Sequence, residues 1–129
     1  MNSYTQKSIV TGAILGSLSV ALGAFGTHML RPLLEVHYME VFETAVRYQM
    51  YHAIAFILLG LTIQHKPLPK YIYTLFLIGI SIFTLTLYGI VIGSMQANNP
   101  LKWLGAITPL GGASLISAWV LFAYHTWKK

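Results

Sequence analysis

Phe42-Glu43-Thr44-Ala45-Val46-Arg47-Tyr48-Gln49-Met50-Tyr51-His52-Ala53 decides how this chain folds. It sets an acid, a base, two tyrosines and a histidine at the mouth of an oily segment. The apolar run that follows, Ala53–Ile63, has about 11 residues, whereas a helix needs about 20 to cross a bilayer. The helix must therefore begin near Val41 or Phe42. That draws Glu43, Arg47, Tyr48, Gln49, Tyr51 and His52 to or below the headgroup level. Glu43 and Arg47 are four apart with the acid first, which predicts a helical ion pair. Tyr48 and His52 are also four apart, on another side of the helix. Charges at such depth are costly, so they are expected to face protein or a water-filled cavity.

The rest of the composition agrees with a membrane setting. Of the 129 residues, 56% are hydrophobic and only 9% charged, far from a soluble average. There is no cysteine, so no disulfide or thiolate-bound metal forms. The formal charge of +5 comes from eight bases against Glu35, Glu40 and Glu43. The bases stand singly at the ends of apolar runs. That placement suits membrane orientation and not a nucleic-acid surface.

Working outward, three more runs are long enough to span. Ile9–Phe25 has about 17 residues without a charge, near the lower limit. With Lys7 before it and small residues at its end it resembles a signal peptide, but the spanning runs that follow favour its retention. Gly12, Gly16, Ser19 and Gly23 fall on one face, where small side chains let helix backbones approach. Tyr71–Gly93 has about 23 uncharged residues. The last run extends from about Leu101 to Tyr124 and contains Pro109, which cannot donate to the carbonyl of Gly105. A bend or opening is expected there. The spans are thus placed at about 9–26, 42–64, 71–93 and 102–124 in a single domain. Between the first two, Pro32 can start a helix. Leu33, Leu34, Val36 and Met39 alternate with Glu35, His37 and Glu40, which predicts a short interfacial helix.

Orientation follows from the bases. With four spans, Lys7, Lys66, Lys70, Lys128 and Lys129 share one side, and Arg31, Arg47 and Lys102 the other. The richer side is expected in the cytoplasm, with both termini. Tyr71, Tyr73, Tyr124 and Trp127 would form one aromatic belt, and Trp103 and Tyr88 would mark the other.

This topology gathers the unusual stretches in one half of the membrane. The end of span one, with His28, meets the starts of spans two and four. A carbonyl left free by Pro109 would seek a donor, because an unpaired backbone group costs several kcal/mol in hydrocarbon. The expectation is a polar cluster joining helices one, two and four: His28, Glu43, Arg47, Tyr48, Tyr51, His52, Gly105, Thr108 and Pro109.

Gly23-Ala24-Phe25-Gly26-Thr27-His28, the 42–53 stretch and Gly105-Ala106-Ile107-Thr108-Pro109-Leu110-Gly111-Gly112 resemble, in order and spacing, a small bacterial inner-membrane family, domain of unknown function 423. The Tyr-Gln-Met-Tyr-His run is the specific part. Thr27 departs from the pattern, where alanine would be expected. The resemblance implies a four-helix protein of the bacterial cytoplasmic membrane. It implies no reaction.

The residues do not assemble an enzyme. Catalysis needs a positioned nucleophile and base, paired carboxylates or a metal, and three glutamates without aspartate or cysteine supply little. His28, His37 and His52 lack the tight spacing of a metal site, so neither metal nor other cofactor is expected. Two functions remain in view. One is a structural or accessory component that packs against itself, as a homo-oligomer, or against a larger membrane complex. The other is an oligomeric channel or transporter for a small solute, ion or lipid. No inverted repeat supports the second.

Overall fold

A computed structural model describes residues 1–128. Its framework is four long helices and, among the described residues, no strand. α1 covers Ser3–Phe25, α2 Val36–His65, α3 Lys70–Ser94 and α4 Thr108–Trp127. Each, with its short extensions, is long and apolar enough to cross a membrane.

The boundaries have local causes. Asn2 caps α1, its side-chain oxygen accepting from the Thr5 N–H at 2.8 Å. α1 runs on into one π turn, Gly26–Leu30. Lys66 is extended ahead of Pro67 and ends α2. Pro69 precedes α3. Asn98 and Asn99 take left-handed backbone angles, φ 61° and 37°, which asparagine tolerates better than most residues. The Asn99 amide donates to the Ile90 carbonyl at 3.3 Å and to Tyr38 Oη at 3.4 Å, tying the α3–α4 turn to the start of α2.

One expectation about elements needs correction. No separate interfacial helix follows Pro32. Residues 31–34 turn, with the Leu33 and Leu34 N–H groups both donating to the Leu30 carbonyl at 2.9 and 3.0 Å. Glu35 is extended, and helix α2 then starts at Val36. Nothing interrupts it until His65, because no proline lies in between. The segment read as interfacial is the first turns of α2. At 30 residues, about 45 Å long, α2 exceeds the hydrocarbon thickness of about 30 Å by several turns. Of the bend or opening expected at Pro109, the opening is what forms, and Pro109 marks it. It stands in the first turn of α4, where its missing N–H forfeits no helical bond. The opening is a fresh helix start after a 3₁₀ turn, Lys102–Ala106, and not a bend within a continuous span.

α1 packs on α2, α2 on α3, and α3 on α4. α2 is the most enclosed: 44% of its most apolar window is buried, against 17% for the first and last spans. The seams close where side chains vanish. A Cβ on Gly12 would fall 2.5 Å from the Ala53 carbonyl oxygen, and one on Gly111 would fall 2.6 Å from the Phe83 nitrogen. Gly16 and Gly23 face Ala53 and Val46, and Ser19 is buried. Phe56, Leu59, Ile72, Phe76, Ile80 and Ala118 form the core between α2, α3 and α4.

At the end holding both termini, Lys66 Nζ donates to the Thr126 carbonyl at 2.9 Å and to that of Lys128. A cation there satisfies carbonyls at the end of α4 that have no helical partner. Tyr71 Oη and His125 Nε2 lie 2.6 Å apart, and the Tyr4 hydroxyl donates to the Lys70 carbonyl at 3.3 Å.

Candidate functional site

The 42–53 stretch is helical throughout and has two faces. Phe42, Ala45, Gln49, His52 and Ala53 are buried; Arg47, Tyr48 and Tyr51 are exposed. Spacings of three and four residues sort them, as a helix requires.

On the inner face, Gln49 is 4% exposed. Its Nε2 donates to the Leu15 carbonyl of α1 at 3.1 Å. Its Oε1 accepts from the Tyr88 hydroxyl of α3 at 2.8 Å. One amide therefore joins three helices. Tyr88, expected at an interfacial belt, instead turns its hydroxyl inward. One turn on, His52 is equally buried. Trp119 of α4 gives its indole N–H to His52 Nε2 at 3.1 Å. An indole nitrogen only donates, so Nε2 must accept and Nδ1 must carry the hydrogen. Nδ1 donates to the Tyr48 carbonyl at 2.7 Å. In this arrangement the imidazole is neutral and both nitrogens are used. Phe76 and Trp119 pack around the ring, at 6.0 Å each.

On the outer face the expected Glu43–Arg47 pair does not form. Glu43 instead accepts from Arg31 of the α1–α2 turn at 2.8 Å, the ion pair of the described residues. The turn carries Arg31 over Glu43, and that single short contact takes the place of a pair with Arg47 one helical turn away. Arg47 reaches only the Thr44 hydroxyl, at 3.5 Å. Tyr48 stacks on Phe83 of α3 at 4.7 Å, with Tyr51 beside it at 5.9 Å.

The remaining members of the expected cluster are dispersed. His28 is exposed in the π turn. Gly105 and Pro109 are exposed at the start of span four. Thr108 shares a 2.7 Å hydrogen bond with Thr86 of α3. Helices two and four do meet, through His52 and Trp119, but α1 enters through Gln49 and the Pro109 region takes no donor from α2. The polar groups thus form three separate links: Leu15–Gln49–Tyr88, His52–Trp119 and Thr86–Thr108. The sequence carried a signal for Gln49, which shares the inward spacing of Phe42, Ala45 and Ala53. It carried one for Trp119 too, since an indole N–H within an apolar run must find an acceptor. Arg31, in a turn, gave no such signal.

Two cavities flank the ion pair. One, of about 200 Å³, lies between the end of α1 and α2 and is lined by Gly23, Thr27, Met39, Phe42, Glu43, Val46 and Arg47. The other, of about 230 Å³, is lined by Arg31, Leu34, Val36, Met39, Glu40 and Glu43.

Comparison with known proteins gives a family and no activity. The family model for proteins of unknown function DUF423 matches residues 22–112. A UPF0382 membrane protein of Staphylococcus haemolyticus is 36% identical over 121 residues, covering 93% of this chain and 94% of the relative. One from Haemophilus influenzae is 32% identical over 125 residues, covering 96% of each. No solved structure matches.

Proposed function

Because the chain belongs to the DUF423 family of membrane proteins, we propose that it is a structural or accessory component of the bacterial cytoplasmic membrane, with both termini in the cytoplasm. The observation that carries this reading is the pairing of Gln49. A side chain that lined a solute path would keep a polar atom free for water or cargo. Gln49 uses its nitrogen on α1 and its oxygen on α3, and His52 spends both ring nitrogens in the same way. Such groups join helices in the absence of a hydrophobic driving force between them.

The positive balance of bases at the end holding both termini supports the orientation. The outer helices α1 and α4 leave most of their apolar surface to lipid or to other helices. Ala13, Ser17 and Ala21 on α1 are exposed and four apart, and they support self-association or docking to a larger membrane complex by close backbone approach.

The test is flux. Purified protein in liposomes is expected to pass protons and potassium no faster than empty liposomes, and Arg47→Ala to change nothing. Flux above that background that falls in Arg47→Ala would contradict the reading and favour an oligomeric channel.

A further inference from the structure

The charged groove at the far end of α1 and α2 is not used by the interior links, and its two signs of charge are set apart in space. Glu43 is neutralised by Arg31. That leaves Arg47 on the wall of the first cavity and Glu40 on the wall of the second, both exposed. Neither has an ion-pair partner among the described residues. Arg47 lies seven residues along α2 from Glu40, but its guanidinium extends back to the level of Thr44, as helical side chains do. The Glu40 carboxylate leans the same way, so guanidinium and carboxylate stay about two turns apart, ~10 Å along the axis. Between them the two cavities share Met39 and Glu43. The apolar wall of the first is Phe42, Val46 and Gly23, with Val46 against Gly23 at the level of Arg47.

We infer that this groove binds one phospholipid with a phosphoethanolamine headgroup. Arg47 holds the phosphate, Glu40 the primary ammonium, and the start of an acyl chain passes Val46 and Gly23. The charge pattern selects this headgroup over its alternatives. A purely anionic lipid would satisfy Arg47 but would bring no positive charge to Glu40, and its hydroxyls offer that carboxylate only neutral donors. A choline headgroup has the right signs, but its quaternary ammonium cannot donate a hydrogen bond to Glu40. Phosphate and ammonium joined by two carbons, with a hydrogen bond of ~3 Å at each end, span that two-turn separation. The inference goes beyond the structural role proposed above and requires only that the helices lie in a bilayer, with either face outward.

Native mass spectrometry of the full-length protein, titrated with phosphatidylethanolamine, phosphatidylcholine and phosphatidylglycerol, tests it. The wild type is expected to bind phosphatidylethanolamine about tenfold more tightly than the other two, the size of one charge-assisted hydrogen bond. Arg47→Gln should weaken all three lipids. Glu40→Gln, at an exposed position where folding is not at stake, should abolish the preference for phosphatidylethanolamine over phosphatidylcholine and leave phosphatidylglycerol binding intact or tighter. Lys102→Gln, a base outside the groove, should change nothing. Equal binding of the three lipids by wild type would overturn the inference. So would tighter binding of phosphatidylglycerol, or a preference that survives Glu40→Gln.

Discussion

Gln49 and Arg47 are two residues apart, yet they live in different media. Gln49 sits among three helices with both ends of its amide bonded. Arg47 is exposed and makes one long hydrogen bond to its own helix. Glu43 and His52 repeat the contrast: one side chain half-exposed and paired across a turn, the other enclosed and fixed in one tautomer by Trp119. Helix phase makes the division, because a step of two residues turns a side chain by more than half a revolution. Polar residues in one short stretch therefore need not form one site. The inner set joins helices, and the outer set stays on the open face of α2.

Stability measurements sharpen that contrast. The largest effect is expected at Gln49→Leu, which leaves the Tyr88 hydroxyl without a partner and removes the bond to the Leu15 carbonyl, which keeps Ser19 as a donor. A loss of about 2 kcal/mol is expected, near the upper end for interhelical hydrogen bonds in membranes. Reversible unfolding in bicelles would measure it, and Gln49→Leu combined with Tyr88→Phe should recover part of the loss. The smallest effect is expected at Glu43→Gln. The Arg31–Glu43 pair is 58% and 40% exposed, and exposed pairs contribute about 0–1 kcal/mol. A Glu43→Gln loss as large as that of Gln49→Leu would erase the distinction between the two faces.

Much of this was legible in the residues. Hydropathy and run length located four spans, and the shortfall of Ala53–Ile63 required the helix to reach back through Arg47. α2 does pass through that stretch, and it begins earlier still, at Val36. What the pattern did not carry was anything decided by a turn. Arg31 claims Glu43 because residues 31–34 fold back over α2, and no spacing rule for helices contains that information. Whether Pro109 bends a helix or opens one is not in the pattern either, because a proline looks alike in sequence in both places. The inward face of α2 was open to reading, since Phe42, Ala45, Gln49, His52 and Ala53 recur at helical intervals. The identity of their partners was not, because Leu15, Tyr88 and Trp119 come from three other helices, and their register depends on close approaches at Gly12 and Gly111.

The central claim is that residues 42–53 form one membrane-embedded helix with an enclosed face and an open one. The chain has no cysteine, so single cysteines at 43, 47, 49, 51 and 52 can each carry a spin label without ambiguity. Collision with oxygen and with a water-soluble nickel complex in reconstituted bilayers reads each position directly. Labels at 43, 47 and 51 should collide freely with one relaxant or the other, while those at 49 and 52 should be shielded from both. Five labels equally open to the nickel complex would mean that this stretch lies in water, and the division into two faces would be wrong.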